Sequence, residues 1–158
     1  EGNYKDGKGD GLWTAWHNRQ KRLEGTYKDD KRDGLWTKWY ENGQKEWESN
    51  WKAGERDGLT TEWDEDGQKT TERNYKDGCE DGLWTLWYLN GQKESEQIWK
   101  DCKLMSSVVW KPNGEKCPET NVKDGDGVLV AYNEDGSENF RETYKDGELF
   151  FDDELFFD

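Results

Sequence analysis

Histidine is almost absent from this chain: His17 is the only one among 158 residues. Nucleophilic catalysis needs a base beside its nucleophile, and a lone histidine with no partner motif supplies none. The 37 acidic residues mark out no pair for glycosidic hydrolysis, so no enzyme is expected. His17 flanks a turn and reads as structural rather than catalytic or metal-binding. Apolar residues are scarce too, at 30% against 38% charged, and no run is long enough to insert into a membrane. Positive charge is outnumbered, leaving a net charge of −14. DNA, RNA and anionic membranes are therefore poor partners, because binding them relies on cationic side chains against phosphate. There is no initiator methionine. Glu1-Gly2-Asn3-Tyr4 parallels Glu24-Gly25-Thr26-Tyr27, so the chain opens inside a repeat and the first hairpin is expected to lack its own first strand. So polar a composition reads as disordered, but eleven tryptophans argue otherwise, since each large ring can bury about 150–250 Å².

What is present is a repeat. Tyr4, Tyr27, Trp51, Tyr75 and Trp99 open successive copies, the first step being 23 residues and the next three 24. Two weaker copies open at Val122 and Tyr144. A fixed period of this length marks a stacked repeat protein. In the fourth copy, Leu83-Trp84-Thr85-Leu86-Trp87-Tyr88 is aromatic and β-branched, which is strand chemistry. Asn90-Gly91 is a hairpin turn signal, and Gln92 to Trp99 returns as a second strand. Asp77-Gly78 and Asp81-Gly82 read as the turn joining one hairpin to the next. A helix would carry a glycine about every ten residues, each costing roughly 0.5–1 kcal/mol.

Alternation along the strands places Leu12, Leu35, Leu59 and Leu83 beside Trp16, Trp39, Trp63 and Trp87 on one face. Trp13, Trp36 and Trp84 occupy the other, interrupted by Thr60. The expected fold is all-β: an elongated single-layer antiparallel sheet of six to seven β-hairpins. The array is expected over residues 1–147, degenerate from about 99, followed by a tail over 148–158.

The pattern Y-K-D-G-x-x-D-G-L-W-T-x-W-Y-x-N-G-Q-K, complete in Tyr75 to Lys93, resembles the bacterial variant of the MORN repeat. The resemblance is strong from Tyr4 to Trp99 and weaker from Asn121 to Gly147. It implies a twisted sheet of hairpins serving as a scaffold or interaction surface, and it carries no catalytic residues. Proteins of this kind are often labelled antitoxin components, and some eukaryotic members are linked to phospholipids.

The later copies depart from the pattern. The fifth loses its Asp-Gly-Leu-Trp core, keeps a three-residue turn at Pro112-Asn113-Gly114, and sets Val109 opposite Cys117. A Cys102–Cys117 disulfide is expected there, closing a loop of about 15 residues worth about 3 kcal/mol in the chain-entropy model; two free thiols are the alternative. The bond would place the protein in an extracellular, cell-surface or periplasmic space, and free thiols in the cytoplasm. Cys79 is left over in a turn slot, exposed and able to cross-link chains. Asp124 and Asp126 raise a calcium reading without matching an EF-hand loop, as do the turn carboxylates Asp29, Asp33, Asp57, Asp77 and Asp81. Carboxylates that cap their own backbone turns are the commoner arrangement, so no cofactor is assigned.

The tail repeats Glu-Leu-Phe-Phe-Asp twice. Leu149, Phe150, Phe151, Leu155, Phe156 and Phe157 form either a cap on the last hairpin or a strand that adds to a neighbour's edge. The functional expectation is a non-enzymatic interaction protein, joining copies of itself head to tail into a filament through sheet edges and tail. The alternative is a monomeric scaffold or antitoxin-like module that holds another protein on Trp13, Trp36 and Trp84.

Overall fold

Two kinds of turn alternate along the chain and between them generate the fold. In the first kind two successive residues take positive φ: Asp6-Gly7, Asp29-Asp30, Ala53-Gly54, Asp77-Gly78, Asp101-Cys102, Asp124-Gly125 and Asp146-Gly147. This is the type I′ turn, whose twist matches that of the paired strands. Asp30 keeps its turn without glycine, at φ 65°. The second kind holds three residues and ends in glycine. Gly43 N donates to Tyr40 O at 3.1 Å, and Tyr40 N to Gln44 O at 2.9 Å. The same pair of bonds closes Asp64–Gln68, Tyr88–Gln92, Lys111–Glu115 and Asn133–Ser137. In the shortened first copy, Asn18-Arg19 makes a type I′ turn instead, at φ 49° and 63°.

The structure is a computed structural model and describes residues 2–151. No helix occurs among them. The strands are β1 (Gly2–Lys5), β2 (Lys8–His17), β3 (Gln20–Lys28), β4 (Lys31–Arg32), β5 (Gly34–Trp39), β6 (Lys45–Lys52), β7 (Glu55–Trp63), β8 (Lys69–Lys76), β9 (Cys79–Trp87), β10 (Lys93–Lys100), β11 (Lys103–Val109), β12 (Gly127–Tyr132), β13 (Glu138–Lys145) and β14 (Glu148–Phe150). The first eleven form one open antiparallel sheet in chain order, with β4 paired only to β3. The last three form a separate sheet, β12-β13-β14. The chain divides into two units, Glu1–Gly82 and Leu83–Asp158.

One expectation about the turns is corrected. In the first, third and fourth copies the second Asp-Gly is not a turn: Gly11, Gly58 and Gly82 sit inside β2, β7 and β9 at φ 107°, 104° and 110°. An added Cβ at Gly58 would lie 3.3 Å from the Cβ of Asn50, and the β6–β7 register shifts nearby, between Ser49 and Trp51. The glycine marks a bulge, which bends the strand and raises its twist.

In the first unit burial comes from rings laid over glycine. Trp36 is fully buried, and an added Cβ at Gly25 would sit 2.1 Å from its ring. Trp13, opposite Gly25, lies 6.0 Å from Trp36, and Tyr27 meets Trp36 edge-on at 4.9 Å. The Trp36 indole N–H donates to Thr26 O at 3.0 Å. In the next copy the same contact is rebuilt with small residues: Ser49 pairs with Thr60, their hydroxyls are 2.6 Å apart, and both are buried.

The second unit does not remain a single layer. Leu104, Val109, Cys117, Val122, Leu129, Val130 and Tyr132 form a buried apolar cluster, with Trp99, Val128 and Tyr144 packed against it. These residues belong to the copies that have lost Asp-Gly-Leu-Trp. Short aliphatic chains there leave a sheet face that another layer can cover.

Candidate interaction surfaces

Each face of the first unit carries its own stack of cations and rings. On one face the Arg32 guanidinium lies 4.4 Å from the centre of the Trp36 ring and 4.9 Å from that of Trp51. Arg56 lies 5.7 Å from Trp51 and 5.2 Å from Tyr75, and its Nη1 donates to the Tyr75 hydroxyl at 3.2 Å. Arginine suits this place because a planar, weakly hydrated cation can stack between rings.

On the opposite face a bulge sets the pattern. Residues three apart in a regular strand point to opposite sides, yet Lys21 and Glu24 pair at 2.6 Å, as do Lys45 and Glu48. Lys69 and Glu72 also pair. The register shifts where Trp16, Trp39 and Trp63 meet Lys21, Lys45 and Lys69, and the extra residue turns each lysine back toward its glutamate. Lys21 then lies 5.8 Å from the Trp16 ring and 5.5 Å from that of Trp39. Lysine covers only part of these tryptophans, so Trp16, 54% exposed, and Leu12, Leu35 and Leu59, each 41–52% exposed, make up the apolar part of that surface.

The second unit holds a different cluster. The Tyr88 hydroxyl donates to Trp110 O at 2.8 Å, and burial pushes its pKa up to about 12. Cys117 Sγ lies 3.1 Å from the Tyr132 hydroxyl, and Thr120 Oγ1 donates to the same sulfur at 3.6 Å. Burial opposes the thiolate, but these hydrogen bonds outweigh it and bring the thiol below its usual range. Burial raises the Glu94 carboxyl above its ordinary 4.5, and the Glu134 charge adds to the rise. A carboxyl raised in the folded state favours folding while it is protonated and opposes it once ionised. The Glu94 penalty is therefore complete above the raised folded value and vanishes below about 4.5. Glu94→Gln is expected to be more stable than the parent at neutral pH, with the difference closing as pH falls to that range. Urea melts at several pH values check this; an equal difference at every pH would remove Glu94 as its source.

The cysteines correct the expected pairing. Cys79 and Cys102 are the disulfide-bonded pair, and Cys117 is a buried free thiol. Cys102 precedes β11 in its turn, whereas Cys117 N donates to Val109 O at the far end of that strand. Seven strand residues separate them by about 20 Å, and a disulfide spans at most about 7 Å between Cα atoms. The register of earlier copies shows the true partner. An added Cβ at turn residue Gly54 would lie 3.5 Å from the Cβ of Lys31, and one at Gly78 would lie 3.7 Å from that of Glu55. Cys102 holds the Gly54/Gly78 place and Cys79 the Lys31/Glu55 place, so the same register pairs them.

The other expected site residues fall into three groups. Trp36 and Trp84 are 0% and 9% exposed and cannot present their rings to a partner; they are packing residues, Trp36 lying over Gly25 and Trp84 against the Trp99 ring at 5.0 Å. Trp13 is half-buried. Leu149 and Phe150 lie on β14 at the edge of the small sheet, and with Phe151 they are 38%, 46% and 72% exposed. Leu155, Phe156 and Phe157 lie outside the described residues. Among the described residues no three histidine, cysteine or acidic side chains gather to hold a metal. The turn carboxylates cap backbone instead: Ala53 N donates to Asp33 Oδ2 and Asp77 N to Asp57 Oδ2, both at 3.3 Å, and Asp146 N to Asp126 Oδ1 at 2.9 Å. No helix of the described residues is long and apolar enough to cross a membrane.

Comparison with curated proteins finds no match. Residues 32–53, 56–77 and 80–101 each match the MORN repeat variant, the stretches in which the alternating turns and the ring stacks recur. Residues 32–101 thus hold three MORN repeats of the variant type, a kind of repeat that typically serves protein interaction.

Proposed function

We propose that this chain is a non-catalytic interaction protein that joins copies of itself through sheet edges. The observation that carries the reading is β14. Among the described residues it is an outer strand, paired on one side to β13, and it presents Leu149 and Phe150, followed by Phe151, with 38–72% exposure. An apolar strand with an unpaired edge is a template for another strand. In the larger sheet β1 is an end strand, with Tyr4 73% exposed. Joining unlike edges is a heterologous contact, which extends into a filament unless the rotation closes. The Cys79–Cys102 bond favours an oxidising compartment, at the cell surface or outside it. A net charge of −14 argues against nucleic acid as the partner.

The test is sedimentation of the full chain beside one in which Leu149 and Phe150 are both replaced by lysine. Species larger than a monomer are expected for the parent and a monomer for the variant. Equal association of the two would remove the edge as the mechanism. A monomeric parent would favour the second reading, a scaffold binding another protein across the exposed Leu12, Leu35 and Leu59.

A further inference from the structure

Arg32 and Arg56 both stand five residues after the aromatic that opens their copy, and each fills the space between rings. In the first copy that position is Gly9. The rings are still there. Tyr4 opens the copy, Trp13 stands where Trp36 does, and Tyr27 stands where Trp51 does; Trp13 and Tyr27 meet edge-on at 6.3 Å. With no side chain at Gly9, they border an open cavity of about 290 Å³ lined by Asn3, Tyr4, Gly9, Trp13, Tyr27 and Asp30. It has the walls of the arginine slots without the arginine.

This slot also carries a charge that the later ones lack. Asp30 occupies the turn position that is Gly54 and Gly78 in the next copies. Its Oδ1 accepts from Gly9 N at 2.6 Å, which fixes the carboxylate on the cavity wall. Aromatic faces attract a cation lying over them, and a carboxylate matches the planar donors of a guanidinium. We infer that the Gly9 cavity is a binding site for a guanidinium group, the side chain of an arginine presented by a partner protein. The pair of filled slots inside the same chain shows that this geometry accepts the group. The net charge of −14 would draw a basic partner toward it. The site is independent of self-association through β14.

The probe is N-acetyl-arginine amide, titrated into the isotope-labelled full chain while the Gly9 amide and Trp13 indole resonances are followed by NMR. The control is the citrulline equivalent, which has nearly the same shape and no charge. Saturable shifts at Gly9 and Trp13 are expected for arginine, with citrulline weaker by roughly tenfold or more, since hydrogen bonds to charged groups are the stronger ones. Gly9→Arg supplies the missing side chain from within and is expected to abolish the response. An added Cβ at Gly9 meets nothing closer than 3.4 Å, so that variant has room to fold. Asp30→Asn is expected to weaken binding by roughly tenfold. The inference is overturned by an absence of saturable shifts at these two residues, by equal binding of citrulline, or by an unchanged response in a folded Gly9→Arg chain.

Discussion

Gly25→Ser is expected to destabilise the first unit by about 2–3 kcal/mol, an effect at the upper end for overpacking, although serine is only a few atoms larger. The Cβ it adds would fall 2.1 Å from the Trp36 ring. Trp36 has no room to retreat: it is fully buried, its indole nitrogen is tied to Thr26 O, and Tyr27 and Arg32 close on it. Trp36→Thr is expected to cost about 3–5 kcal/mol by itself, the usual range for emptying a tryptophan site. The chain shows how the two losses offset each other. One copy further on, the same cross-strand place holds Ser49 and Thr60, joined at 2.6 Å and both buried. The double variant Gly25→Ser with Trp36→Thr copies that arrangement, so its cost should fall short of the sum of the singles by about 2–3 kcal/mol. Urea unfolding of the four chains, followed by tryptophan fluorescence and far-ultraviolet circular dichroism, measures the cycle. Additive losses would mean that the Ser–Thr contact depends on its own neighbours and not on the repeat geometry.

That cycle bears on how the sequence can be read. The period, the hairpins and the all-β class follow from turn residues and aromatic strands, because both are local features. The Pro112-Asn113-Gly114 turn is legible for the same reason. Other features depend on how one copy sits on the next, and a single copy does not reveal that. Asp81-Gly82 has the composition of a turn but serves as a bulge. The same shift of register brings Lys21 onto the face of Glu24, which strict alternation denies. Trp36 looks like an exposed ladder ring until Gly25 is set beneath it. Gly9 is unremarkable until it is aligned with Arg32 and Arg56. The small apolar core of the second unit was hidden because its residues stand where the pattern fails, and the period gives no position to aliphatic residues outside it.

The Cys79–Cys102 bond is the feature that alignment between copies should have given, and it can be moved. Lys31→Cys with Gly54→Cys places two thiols two copies earlier on Cβ positions 3.5 Å apart, inside the roughly 3.5–4.5 Å range of disulfides. The loop closed is close to the native one in length, and about 3 kcal/mol is expected from restricting the unfolded chain. Position 54 takes φ 94°, where a side chain costs about 1–2 kcal/mol; Cys102 already carries that strain at φ 66°. The two terms have opposite signs and different redox dependence. Reduced, the double variant should be less stable than the parent by about 1–2 kcal/mol; oxidised, it should exceed the parent by a similar margin. Running the experiment on a chain whose native pair is reset to the consensus, Cys79→Lys with Cys102→Gly, removes competing exchange. Free-thiol titration and mass should show the new bond closing in air with Cys117 still unmodified, and urea melts with and without reductant should show the change of sign. Failure of the bond to close would mean that adjacent turns do not share the spacing seen at Gly54 and Lys31. A closed bond with no gain would place the strain at position 54 level with the entropy of the loop.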